Sequence, residues 1–263
     1  MTIKRMLLCV LSASLLLCMT ACGEKKTEKA PDPDPAMPTT AAQIIGFYND
    51  AIGRAVDSRL SLAKRYRSKE DKFSLSPVLD PFKSRLRDDT GVKQNMDDVI
   101  VTPDSVDADR YEQILRRSSL TEADVKKAKC TLTKTGLYRI GMVLQDGESH
   151  VSPDKNEYTS ALDKCGIFAG DTMNLQYDHK TAQNIFEDVG EYASDIRIDE
   201  QQTNVKIVAV FRPDGTPMQL TIRFDTAYSI KSVYEIGLSA KGSTTVRYLQ
   251  FGAEAPVFPE EDE

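Results

Sequence analysis

Apolar side chains recur every three or four positions in the first part of the chain and every second position in its last third, so two kinds of element are predicted. Over residues 40–66, Ile44, Ile45, Tyr48, Ile52, Ala55 and Val56 share one helical face, and Asp50, Arg54 and Asp57 lie mostly opposite. The pattern predicts one long amphipathic helix, and Thr40 with Gln43 has the spacing of a capping box at its start. A short helix is expected over 78–87 in spite of Pro81, then a polar loop over 88–106, then a third helical piece over 107–118.

From Ala128 onward the period shortens to two. Ala128, Cys130 and Leu132 share one face of a first strand. Tyr138, Ile140, Met142 and Leu144 share one face of the next, with Gly136 at the turn. Residues 146–190 are polar and predict a loop with short helices. Four strands follow, "NVKIVAVF", "PMQLTIRF", "SIKSVYEIGL" and "TTVRYLQF", the first two joined by "RPDGT" and the last two by "SAKGS". Short connections of this kind make antiparallel neighbours.

Helices first and strands later predict an α+β fold, with the long N-terminal helix packed on an antiparallel sheet built mainly from the C-terminal half. In "NVKIVAVF", Val205, Ile207, Ala209 and Phe211 point one way, and Val208 and Val210 make the other face apolar too. A strand apolar on both faces is expected to be covered on both. Val208 and Val210 are therefore the candidates for a second buried face, either under residues 146–190 or in an open apolar groove.

The N-terminus carries a different signal. Lys4 and Arg5 precede an apolar run over residues 6–19, too short to span a bilayer and suited to the core of a secretory signal peptide. The stretch "MTAC", Met19 to Cys22, resembles the lipobox of bacterial lipoproteins. That resemblance implies cleavage before Cys22, acylation of Cys22, and a protein held by lipid on the outer face of the cytoplasmic membrane or in the outer membrane. Residues 1–21 then form the signal peptide. Residues 22–38 form a charged tether with four prolines, able to hold a domain about 50 Å from the bilayer. Residues 39–256 form a single domain and 257–263 an acidic tail.

Composition narrows the chemistry. Apolar residues make up 40% of the chain and charged ones 28%, enough to build a core. The net charge of −6 becomes more negative once Lys4 and Arg5 leave, which argues against nucleic acid and against a polybasic surface for anionic lipid. Of five cysteines, Cys130 and Cys165 remain after the signal peptide and the lipid site are assigned. In an exported chain they predict a disulfide, with two buried free thiols as the alternative.

No metal site is expected, since the only histidines, His150 and His179, lack close ligand spacing to the cysteines. No cofactor is implied. "SLAK" at 61–64 and "KTG" at 134–136 match fragments of the serine acyl-enzyme signature, but they lie too close together and have no element between them. Tyr228, Tyr234, Tyr248 and Phe251 read as core aromatics before they read as a binding surface.

The expectation is a non-catalytic envelope module, anchored to the membrane by lipid, that binds a protein, a peptide or an apolar ligand. A carboxylate-based hydrolase and a structural or assembly role are the alternatives. Convergence of acidic residues in a cleft would favour the hydrolase.

Overall fold

The computed structural model describes residues 36–84, 96–152, 155–167, 195–232 and 235–258. Cys22, with the expected signal peptide and most of the expected tether, lies outside the described residues, as do His179 and Tyr234. Residues Met37–Glu263 form one compact unit. Among the described residues no helix is long and apolar enough to cross a membrane.

Helix α1 spans Ala41–Asp57, and Thr40 and Gln43 close the expected capping box at its start. Its expected face is the one it buries: Ile44, Ile45, Tyr48, Ile52, Ala55 and Val56 are all inside. The helix stops well short of residue 66. Ser58 caps it, Arg59 takes a positive φ of 44°, and strand β1 runs over Leu62–Leu75. Leu62 and Tyr66 face the core, while Ala63, Arg65 and Arg67 face the other way. The stretch "LSLAKRY" fits either period. Twelve paired positions against another strand decide for the strand.

The remaining elements are a 3-10 turn at Pro77–Phe82, β2 (Met96–Val101), α2 (Ala108–Glu112), β3 (Val125–Leu132), β4 (Tyr138–Leu144), β5 (Gly147–Ser152), β6 (Lys155–Thr159), β7 (Arg197–Phe211), β8 (Pro217–Lys231) and β9 (Gly237–Leu249). The fold is more β-dominated than the α+β expectation, because β1 begins inside the stretch expected as helix, over 62–66, and β2, β5 and β6 come from stretches expected as loop. A helix packed on an antiparallel sheet is nonetheless what forms.

All nine strands join one sheet in the order β2-β1-β9-β8-β7-β4-β3, with β5 between β7 and β6. Every pairing is antiparallel. Strand β7 is long enough to serve two neighbours. Its first half pairs with β5 and its second with β4, and the register shifts between Thr203 and Lys206.

One face of the sheet carries the hydrophobic core. Helix α1 lies on it, with Phe47 edge-on to Phe211 at 5.4 Å and tilted against Tyr138 at 5.8 Å. Residues 108–120 and 161–167 fill in beside the helix. Tyr248 donates to the Ile114 carbonyl at 2.9 Å, and Tyr48 donates to the Cys165 carbonyl at 2.6 Å. Tyr228, Tyr248 and Phe251 are core, as expected.

Two sequence expectations about β-structure need correction. "SAKGS" is not a turn: it lies inside β9, and the chain reverses at 232–236, where the Ser232 amide donates to the Ile236 carbonyl at 2.9 Å. The glycine serves a close approach instead. A Cβ at Gly242 would sit 2.6 Å from the Lys69 carbonyl oxygen, where β1 carries a bulge between Glu70 and Lys72. Strand β7 is also not buried on both faces. Burial alternates along it, Val208 is 36% exposed, and Val210 is only half-buried.

Candidate functional site

The face opposite α1 is the one the strand register leaves open. The pairing assigns its residues row by row. Lys129, Gly141, Val208, Thr221, Arg247, Arg65 and Asp98 stand side by side across β3, β4, β7, β8, β9, β1 and β2. One row over come Arg139, Val210, Gln219, Leu249, Ala63 and Ile100. On the other side come Val143, Lys206, Arg223, Thr245 and Arg67. Of these, Lys129, Arg139, Lys206 and Arg223 are exposed, and Arg247 is half-exposed. No ion pair among the described residues involves any of the five.

Asp98 is the main acid in this half of the face. It meets Arg67 at 2.5 Å and Arg65 at 3.5 Å, and the Arg67 guanidinium bonded to it holds its carboxyl below the usual range. Asp225 marks the edge of the basic zone and accepts a hydrogen bond from Asn204 at 2.7 Å, at the bulge in β7.

Beyond that bulge the same face changes sign. Glu148 and His150 on β5, Glu157 on β6 and Asp199 on β7 share it, because Glu148 pairs with Gln201 and His150 pairs with both Asp199 and Glu157. They line a concavity of about 570 Å³. His150 Nδ1 lies 2.5 Å from an Asp199 carboxylate oxygen. The pair resembles part of a nucleophile-activating arrangement, and among the described residues the hydroxyls that line the same concavity are those of Ser149 and Thr159. Ser149 points to the covered side, where it is buried, and Thr159 donates to the Glu148 carbonyl at 3.4 Å. Among the described residues no three His, Cys, Asp or Glu side chains are grouped so as to hold a metal ion.

The residues singled out in the sequence fall into three environments. Val208 and Val210 lie on the open face, within the basic half. Cys165 is fully buried beneath α1, and burial pushes its thiol up to about 12. Cys130 is half-buried on edge strand β3, and burial raises its thiol too. The expected Cys130–Cys165 bridge is absent from this structure: both thiols are free. The segment around Cys165 is tied down by backbone hydrogen bonds instead, from Arg116 to the Gly166 carbonyl and from Ser119 to the Lys164 carbonyl, both at 2.8 Å, and by the Tyr48 hydroxyl.

Ser61 and Lys64 of "SLAK" make no catalytic pair either. Ser61 donates to the Ala253 carbonyl at 2.5 Å, and Lys64 lies within β1. "KTG" sits at the β3–β4 hairpin tip, where Gly136 takes a φ of 77°.

The charged layout of the open face was missed by a reading centred on apolar periodicity. Its signal was present in the outward positions of each strand. Only the strand order shows that those positions are neighbours.

Comparison with family models, with curated proteins and with solved structures returned no match.

Proposed function

We propose that this chain is a lipid-anchored envelope protein that works as a non-catalytic binding module, with the open face of the sheet as its binding surface. The anchoring rests on the resemblance of Met19–Cys22 to a lipobox. The binding reading rests on one observation: among the described residues the helix and the hydrophobic core lie on one side of the sheet, and the other side, outside the part covered by residues 253–258, presents a broad array of charged and apolar side chains. Seven strands at ~4.8 Å spacing make that face about 30 Å across. An antiparallel sheet with one face in water is ordinary. One that keeps valines and unneutralised cations together on that face is built for contact.

A second reading has one observation in its favour. Glu148, Glu157 and Asp199 converge around His150 in a concavity, as a carboxylate-based hydrolase would require. Hydrolysis of any glycosidic or peptide substrate by the chain, lost in Asp199→Asn, would establish it.

A photo-crosslinking side chain placed at Val208 tests the binding reading against one placed at Asp50, on the exposed side of α1. In intact cells the first should trap a partner and the second should not. Crosslinks from Asp50 alone would move the binding surface to the helix side and overturn the proposal.

A further inference from the structure

The basic half of the open face contains an arrangement that sheet stability alone disfavours. Lys206 on β7 stands directly opposite Arg223 on β8, and Arg65 on β1 directly opposite Arg247 on β9. Like charges in such positions repel across about 5 Å and weaken the pairing. Lys129 and Arg139 extend the same sign to the far edge of the sheet. The whole chain has a net charge of −6, so this is a local concentration against the global balance. Asp98, 3.5 Å from Arg65, already answers the second pair, so it is the Lys206–Arg223 repulsion, with Arg247 beside it, that an anionic occupant would turn into a shared attraction.

Two features specify what kind of anion. The cations are not continuous: Val208, Val210, Gln219 and Thr221 lie between them, so the surface alternates charged, apolar and hydrogen-bonding positions at strand spacing. A phosphate polymer or a lipid head-group layer would leave the two valines unmatched, whereas a polypeptide with acidic and apolar side chains would use both.

The chain itself also shows that polypeptide lies well on this face. Residues 253–258 return over its β1–β9 side. Pro256 is buried, the Val257 amide donates to the Gln250 side chain at 2.7 Å, and the Phe258 ring covers the Arg65 guanidinium at 4.9 Å. That stacking is a cation–π contact, and it leaves Arg223, Lys206, Arg139 and Lys129 uncovered beside it.

The geometry points to a docking site for an acidic polypeptide segment on the basic half of this face. Its carboxylates meet Lys129, Arg139, Lys206, Arg223 and Arg247, and its apolar side chains lie on Val208 and Val210. This rests on the reading of the open face as the binding surface and adds the chemistry of the partner.

The test uses the full chain and a fluorescent peptide of alternating Glu and Val. Anisotropy should show binding that weakens as ionic strength rises from about 0.05 to about 0.5 M, as screening requires. The double variant Lys206→Glu/Arg223→Glu should lose at least tenfold in affinity. Glu148→Gln, in the acidic half, should bind as the wild type does. A Lys–Val peptide should fail to bind.

Equal binding by the double variant would overturn the proposal. So would binding of inorganic polyphosphate or phosphatidylglycerol vesicles but not of the acidic peptide. Binding that appears only when residues 259–263, "PEEDE", are deleted would assign the site to the chain's own acidic segment and overturn the external partner. Crosslinks from Val208 in cells that persist under excess acidic peptide would leave the face as the binding surface while removing the acidic partner.

Discussion

At the residue scale, Asp163 and Cys165 carry the sharpest expectations. Asp163 lies in the turn at 161–167, where burial raises its carboxyl to about 6 and Arg116 only partly opposes this. Its folded value lies above its unfolded one, so the folded state binds more protons between about pH 4 and 6. Stability is therefore lost as pH rises through that window, and the penalty is complete above it. Asp163→Asn should stabilise the protein at pH 7 by on the order of 1 kcal/mol, after discounting for partial exposure. It should also flatten the decline in melting temperature between pH 4 and 6. An Asn variant with the same pH profile as the wild type would contradict this. Cys165, with its thiol held protonated by burial, should resist thiol reagents in the native protein. In a chain beginning at Gly23, denaturation without reductant should expose two reactive thiols, Cys130 and Cys165. Finding none would restore the disulfide expected from the sequence.

At the scale of the element, the informative errors are at places where two periods fit the same residues. In "LSLAKRY", Leu62 and Tyr66 are four apart and suit a helix turn, yet Leu62, Lys64 and Tyr66 also alternate. Pairing with β9 settles it, and nothing within the stretch does. The strand "NVKIVAVF" misleads in a different way. Apolar residues on both faces predict cover on both, but its outward residues are β-branched valines, which also fit an exposed pleated surface. The consequence can be measured. Val208→Asp should leave the melting temperature within a few degrees of wild type, whereas Ile207→Asp, which buries a carboxylate in the core, should abolish folding. Equal damage from both would show that β7 is covered on both faces after all. The turn misplaced to "SAKGS" has the same origin. Glycine is a turn signal in sequence, and it also marks the spot where a neighbouring backbone comes too near for a Cβ.

At the scale of the whole molecule, topology sets both stability and charge layout. Strands β9, β8 and β7 are flanked on both sides, while β2, β3 and β6 are edges. Hydrogen exchange should be slowest in the core-facing stretches of β8 and β9 and fastest at the three edges, since local opening begins where pairing is one-sided. Fast exchange in β8 would be inconsistent with this strand order. The same order gathers Lys129, Arg139, Lys206, Arg223 and Arg247 from five strands onto one half of a face and places Glu148, Glu157 and Asp199 on the other. A net charge of −6 is the sum of these parts and hides their separation, which is why composition argued against any basic surface.

The sequence alone determined what depends on neighbours a few residues away. It showed the capping box and buried face of α1, the β3–β4 hairpin with Gly136 at its tip, the "RPDGT" turn between β7 and β8, and the inward set of Val205, Ile207, Ala209 and Phe211. These rest on spacing and turn chemistry, which act along the chain. The tertiary structure decided where α1 ends and β1 begins, which strands are neighbours, that β7 buries one face and exposes the other, and that the basic residues meet. Each of these is a contact between segments far apart in the chain, formed by pairing and burial energies that no local window contains.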